Sequence, residues 1–178
     1  MKNDDPDPRG ALAIDVAEPC ALWRQALGDV ETICDAAARA ALAGANAVLP
    51  CGSELSIVLA DDALVHSLNQ RWRGKDEPTN VLSFPAQGGK APLEAPLLLG
   101  DVVLAYGRVA EEAAQQCKPL ADHLRHLIVH GVLHLVGFDH EAPDEAERME
   151  ALEAAVLAGL GVPNPYHAAE GAPGGSHV

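Results

Sequence analysis

The stretch Leu120–His140, LADHLRHLIVHGVLHLVGFDH, organises the reading of the whole chain. Its apolar residues recur at helical spacing, which predicts a helix from Leu120 to Val136 stopped at Gly137. His130 and His134 are four apart, so they share one helical face, one turn from each other. Gly137 can take a left-handed conformation and turn the chain back, bringing His140 towards the same point. Three imidazole nitrogens with a fourth position open are the ligand set of a catalytic zinc ion. We therefore expect His130, His134 and His140 to hold one zinc per chain.

A lone histidine on an apolar helix is usually a hydrogen-bonded core residue, and two at this spacing can coincide. The third, placed after a glycine turn, reproduces the H-x-x-x-H-x-x-G-x-x-H ligand spacing of zincin-type helices. His126 precedes His130 by a turn, on the side away from Gly137, and is read as structural. His123 and His66 are read as surface or helix-cap histidines. Zinc proteases carry Glu directly after the first histidine as general base; here that position is Gly131. The peptidase reading falls accordingly. A Glu installed at 131 is expected to lie beside the open metal position. A metal so held still lowers the pKa of a bound water towards ~7.

Outward from the metal helix, four segments read as strands: Leu12–Val16, Glu54–Ala60, Val81–Phe84 and Leu97–Ala105. Besides 120–136, four read as helices: Asp29–Leu42, one capped by Asp61 and running to about Trp72, Gly107–Gln116, and one from Pro143 to about Leu157. Residues 85–96, with three prolines and two glycines, read as a long loop. Strands mixed with helices predict an α/β (α+β) fold, a small four-stranded sheet packed with about five helices.

The chain has 178 residues, 48% of them apolar, enough for one core. We expect a single hydrolase domain over 11–160, a disordered leader over 1–10 and a flexible tail over 161–178. Aromatic residues make up 3%, against a binder that stacks bases on several rings. No apolar run approaches the roughly 20 residues that span a bilayer. No secretory pattern opens the sequence, so a cytoplasmic location is expected. Cys20, Cys34, Cys51 and Cys117 form no C-x-x-C pair and are expected to be reduced, mostly buried thiols.

The net charge of −14 disfavours a protein that coats itself with nucleic acid, but the positive charge is concentrated. Arg71, Arg73 and Lys75 are followed by Thr79, Asn80 and Ser83, polar groups able to bind phosphate oxygens. Arginine suits phosphate because it offers two parallel hydrogen bonds. On composition alone, a solvated basic loop after a helix explains the segment better, and Arg71 has a dipole reason to sit at a helix C-terminus.

Taken in order, LNQRWRGKDEPTNVLSFP, LLLGDVVLA and HLIVHGVLHLVGFDH resemble the YbeY family of bacterial rRNA maturation factors, over roughly residues 54–157. The resemblance implies a metal-dependent endoribonuclease specific for single-stranded RNA. It implies roles in maturing the 3′ end of small-subunit ribosomal RNA and in ribosome quality control. The small ribosomal subunit and its assembly factors are the implied partners. It implies zinc held by His130, His134 and His140, and a catalytic arginine at Arg73, with Trp72 in place of the more usual Tyr. Asp139 is a candidate for orienting His140, and equally a plain turn residue. Two other readings stand beside this one. One is a peptidase or amidase using the same cage. The other is a non-enzymatic assembly factor with structural zinc, which needs a fourth ligand such as Cys117 or His126.

Overall fold

A computed structural model describes residues 12–86 and 95–167. The expected leader, most of the 85–96 loop and residues 168–178 of the expected tail lie outside them. The elements run β1 (Ala13–Ala17), α1 (Leu22–Leu27), α2 (Val30–Gly44), β2 (Glu54–Ala60), α3 (Asp62–Arg73), β3 (Val81–Pro85), β4 (Leu98–Ala105), α4 (Tyr106–Gln115), α5 (Leu120–Leu135) and α6 (Pro143–Gly159). The four expected strands form one mixed sheet in the order β1-β2-β4-β3. β1, β2 and β4 are parallel, and β3 runs antiparallel to β4 at the edge. The described residues hold six helices where about five were expected.

The additional helix is α1. It has six residues and no side-chain cap, so it leaves little trace in the sequence. Tertiary burial forms it: Trp23 is fully enclosed, donates its indole N–H to the Ala60 carbonyl at 3.0 Å and meets Tyr106 edge-on. The longer helices follow their local signals. Asp29 accepts from the Thr32 N–H, Asp61 accepts from the Leu64 N–H at 2.8 Å, and Pro143 opens α6. α3 ends at Gly74, whose φ of +66° is the left-handed cap that favours glycine.

The strand pleat sorts side chains between two cores. Leu55, Ile57 and Leu59 of β2 and Val102 and Leu104 of β4 join the main core with α2, α5 and α6. Ala60, Val103, Ala105 and Leu82 face the other way, where Val65 of α3 packs on them. α5 is the central helix of the main layer, burying Leu124, Leu127, Ile128, Val129, Val132 and Leu133. It lies across β3 and β4, and its C-terminal half therefore meets the sheet edge that carries Ser83. The chain stays packed beyond α6: Val162 is buried, and Tyr166 donates to Glu153.

Candidate active site

The C-terminal turns of α5 expose one edge of an otherwise buried helix, and His130 and His134 stand on it, half-buried. α5 ends as expected: Gly137 has a φ of +101°, a conformation costly for any residue with a Cβ. The turn returns His140, whose ring centroid lies 5.0 Å from that of His134 and 5.8 Å from that of His130. One ring nitrogen from each of the three histidines falls within 4.8 Å of the others. Among the described residues this is the group able to hold a metal ion.

Hydrogen bonding fixes which nitrogens are free. His134 Nδ1 lies 2.9 Å from the Phe138 carbonyl, which can only accept, so Nδ1 carries the proton. His130 Nδ1 lies 2.6 Å from Glu153 Oε1 and likewise donates. The two Nε2 atoms then present lone pairs to each other at 3.1 Å. Facing lone pairs repel unless a cation lies between them, so the donor set fits a metal. His134 is also held below the ordinary imidazole range, by burial first and then by His130 and His140. It is therefore neutral at pH 7, the form that ligates.

Behind His130 stands Glu153, a residue the sequence reading missed. Its side chain is fully enclosed on α6 and accepts from His130, from His126 Nε2 at 3.1 Å and from the Tyr166 hydroxyl. Burial pushes its carboxyl up, but the bonds from His126, His130 and Tyr166 outweigh burial and leave it at about 2. Burial, with Glu153 beside it, pushes the Tyr166 phenol up. A signal was present: Glu153 lies four residues from both Met149 and Leu157, on the apolar face of its helix.

The other expected residues divide. Arg73, at the exposed end of α3, lines the same cleft of about 670 Å³ as the three histidines, with Lys75 and Thr79. Its Nη2 donates to the Ser83 carbonyl at 2.8 Å, and its guanidinium lies 5.9 Å from the centre of the Phe84 ring. Asn80 and Ser83 line the cleft too, but their polar groups are engaged within the protein. The Asn80 amide donates to Glu112 at 2.9 Å and accepts from the Val81 N–H, and the Ser83 hydroxyl donates to the Gly131 carbonyl at 3.0 Å. Asp139 acts as a turn residue: Oδ1 accepts from the His140 main-chain N–H at 2.7 Å and stands 4.0 Å from the His140 ring.

Gly131 does not face the metal position. A Cβ there would lie 2.7 Å from Val102 and 3.1 Å from the Ser83 hydroxyl, so even a methyl group at 131 would force Val102 to shift. The expected Glu beside the metal has no room. His123 is corrected too: it is 4% exposed, not on the surface, and pairs with Glu112 at 2.8 Å. His66 does lie at the surface, paired with Asp76. Cys117 is exposed at the end of α4 and His126 is turned to Glu153, so neither is a fourth ligand.

Comparison with known proteins identifies the family. The sequence model of the family described as Endoribonuclease YbeY matches residues 22–161. The chain is 54% identical over 159 residues to an "Endoribonuclease YbeY" of Paramagnetospirillum magneticum, covering 87% of this chain and 94% of that one. It is 52% identical over 155 residues to one of Azorhizobium caulinodans, covering 87% and 96%. The solution structure of TM1509 from Thermotoga maritima, 19% identical, superposes with a TM-score of 0.53 over 89% of this chain and all of that one, a likeness of fold. On the family match and these relatives, the chain belongs to the YbeY family.

Proposed function

We propose that this chain is a zinc-dependent endoribonuclease that cuts single-stranded RNA, with Arg73 as its catalytic arginine and His130, His134 and His140 as its metal ligands. The observation that carries the reading is the convergence of three imidazoles and one guanidinium on a single cleft. The naming of its relatives as endoribonucleases supports it. Zinc bound there would supply Lewis acidity and activate water at neutral pH.

The chain's own residues do the rest. The Phe138 carbonyl and Glu153 hold two imidazoles with their lone pairs inward. Arg73 spends one donor on the Ser83 carbonyl, which aims the guanidinium and leaves its other N–H groups for phosphoryl oxygens. Charge that builds on those oxygens during cleavage meets a donor already in place. A cleft of about 670 Å³ admits roughly one or two nucleotides, which favours a single strand over a duplex. The substrate we assign is the 3′ end of small-subunit ribosomal RNA, met in the cytoplasm on the ribosomal subunit among its assembly factors.

The deciding experiment incubates pure protein with a short single-stranded RNA and its duplex, with zinc and with chelator, and measures metal content beside cleavage. Zinc-dependent cutting of the single strand is expected, with both metal and cutting lost in His134→Ala. Chelator-sensitive cleavage of peptides without cleavage of RNA would overturn the reading.

A further inference from the structure

We propose that Glu153 is a positioning residue of the metal centre and that Tyr166, on the stretch after α6, braces it. This rests on the reading of His130, His134 and His140 as metal ligands. Glu153 is 0% exposed, yet no lysine or arginine pairs with it among the described residues. A carboxylate so enclosed persists where donors satisfy both oxygens. Oε1 accepts from His130 Nδ1 at 2.6 Å; Oε2 accepts from His126 Nε2 and from the Tyr166 hydroxyl.

The arrangement has a direction. A carboxylate can only accept, so it forces the proton onto His130 Nδ1 and keeps Nε2 bare for a metal. His126 turns Nε2 to the carboxylate, with the Tyr166 hydroxyl 3.3 Å from the same nitrogen, while its Nδ1 is buried without a partner among the described residues. Tyr166 reaches the same oxygen from outside the helix pair, so residues just past α6 are bonded to a ligand through one carboxylate. The Glu153→Gln variant keeps the shape but turns an N–H group towards one of the three donors. Its best arrangement accepts from Tyr166 and His126 and donates to His130 Nδ1, which drives the His130 proton to Nε2 and sets it against the metal.

The test uses the full chain, freed of metal and titrated with zinc and with cobalt against a chelator of known affinity. Cobalt reports ligand geometry through its visible absorption, which a merely structural residue would leave alone. Glu153→Gln, folded by circular dichroism, is expected to bind both metals about 10–100-fold more weakly and to change the cobalt spectrum. Tyr166→Phe keeps the His130 bond and removes one brace, so about threefold weaker binding is expected. Wild-type affinity and spectrum in Glu153→Gln overturn the inference alone. A wild-type chain that binds neither metal overturns the metal reading with it. Should Glu153→Gln fail to fold, Tyr166→Phe decides: weaker cobalt binding upholds the linkage, and unchanged binding and spectrum overturn it.

Discussion

Arg73 and Ser83 are tied across the cleft edge: the guanidinium donates to the Ser83 carbonyl at 2.8 Å, while the Ser83 hydroxyl donates to the Gly131 carbonyl at 3.0 Å. One residue of β3 thus links the end of α3 to the turn of α5 that carries His130. At both steps a side chain donates to a main-chain carbonyl.

Arg73→Lys keeps the charge but cannot hold Ser83 and bind a phosphate in two places at once. Its kcat on single-stranded RNA is expected to fall about 10²-fold, and that of Arg73→Glu further still. Because Arg73 is exposed, the lost bond should cost about 1 kcal/mol or less in stability. Steady-state cleavage and urea titration of the same preparations check both. Unfolding of Arg73→Lys would make the residue structural.

Gly131→Ala sets about 1–3 kcal/mol of overpacking against Val102 and Ser83 against a gain of about 1 kcal/mol in helix propensity. A net loss is expected, read as a lower Tm, and Gly131→Glu should not fold. An unchanged Tm in Gly131→Ala would show that α5 can lift from the sheet without penalty.

The thiols should divide two and two. Cys20 and Cys34 are buried and Cys51 and Cys117 are exposed, which corrects the expectation that most are buried. Burial, with Glu18 and Glu31 nearby, pushes the Cys34 thiol up to about 12. An aromatic disulfide reagent should titrate two thiols quickly in native protein and four in denaturant. A third fast thiol in the native chain would contradict this packing.

Acid should weaken the fold through His123. Burial lowers its pKa below the ordinary 6.5, against the opposing bond to Glu112. Between the two values the unfolded chain binds more protons, so stability present above 6.5 is lost as pH falls below it. Urea midpoints of metal-free protein should drop from about pH 7.5 to about pH 5.5. His123→Gln should flatten that drop, and an undiminished slope would assign it to other groups.

Most of this architecture was legible because its signals are local. Asp61, Gly74, Gly137 and Pro143 punctuate helices within one turn of themselves, and β2 alternates in burial from Glu54 to Leu59. The clustering of His130, His134 and His140 was legible for the same reason, since they lie within eleven residues of sequence. What stayed hidden depends on partners far along the chain. α1 exists because Trp23 reaches Ala60, and Ser83 and Asn80 looked like phosphate ligands until Gly131 and Glu112 claimed them. Glu153 is the clearest case, since a charge on an apolar face means little until the histidines opposite are known.

The strand order also governs how the chain comes together in time. β1 pairs with β2 and β2 with β4, parallel contacts that close loops of some forty residues each, while β4 completes the sheet at residue 105. Such closures are slow, because chain entropy is lost before the contact is gained. During synthesis the sheet cannot finish before β4 emerges, and the helix bearing His130 and His134 follows it. The three-histidine cluster therefore assembles late, on a sheet whose strands have all been made by then.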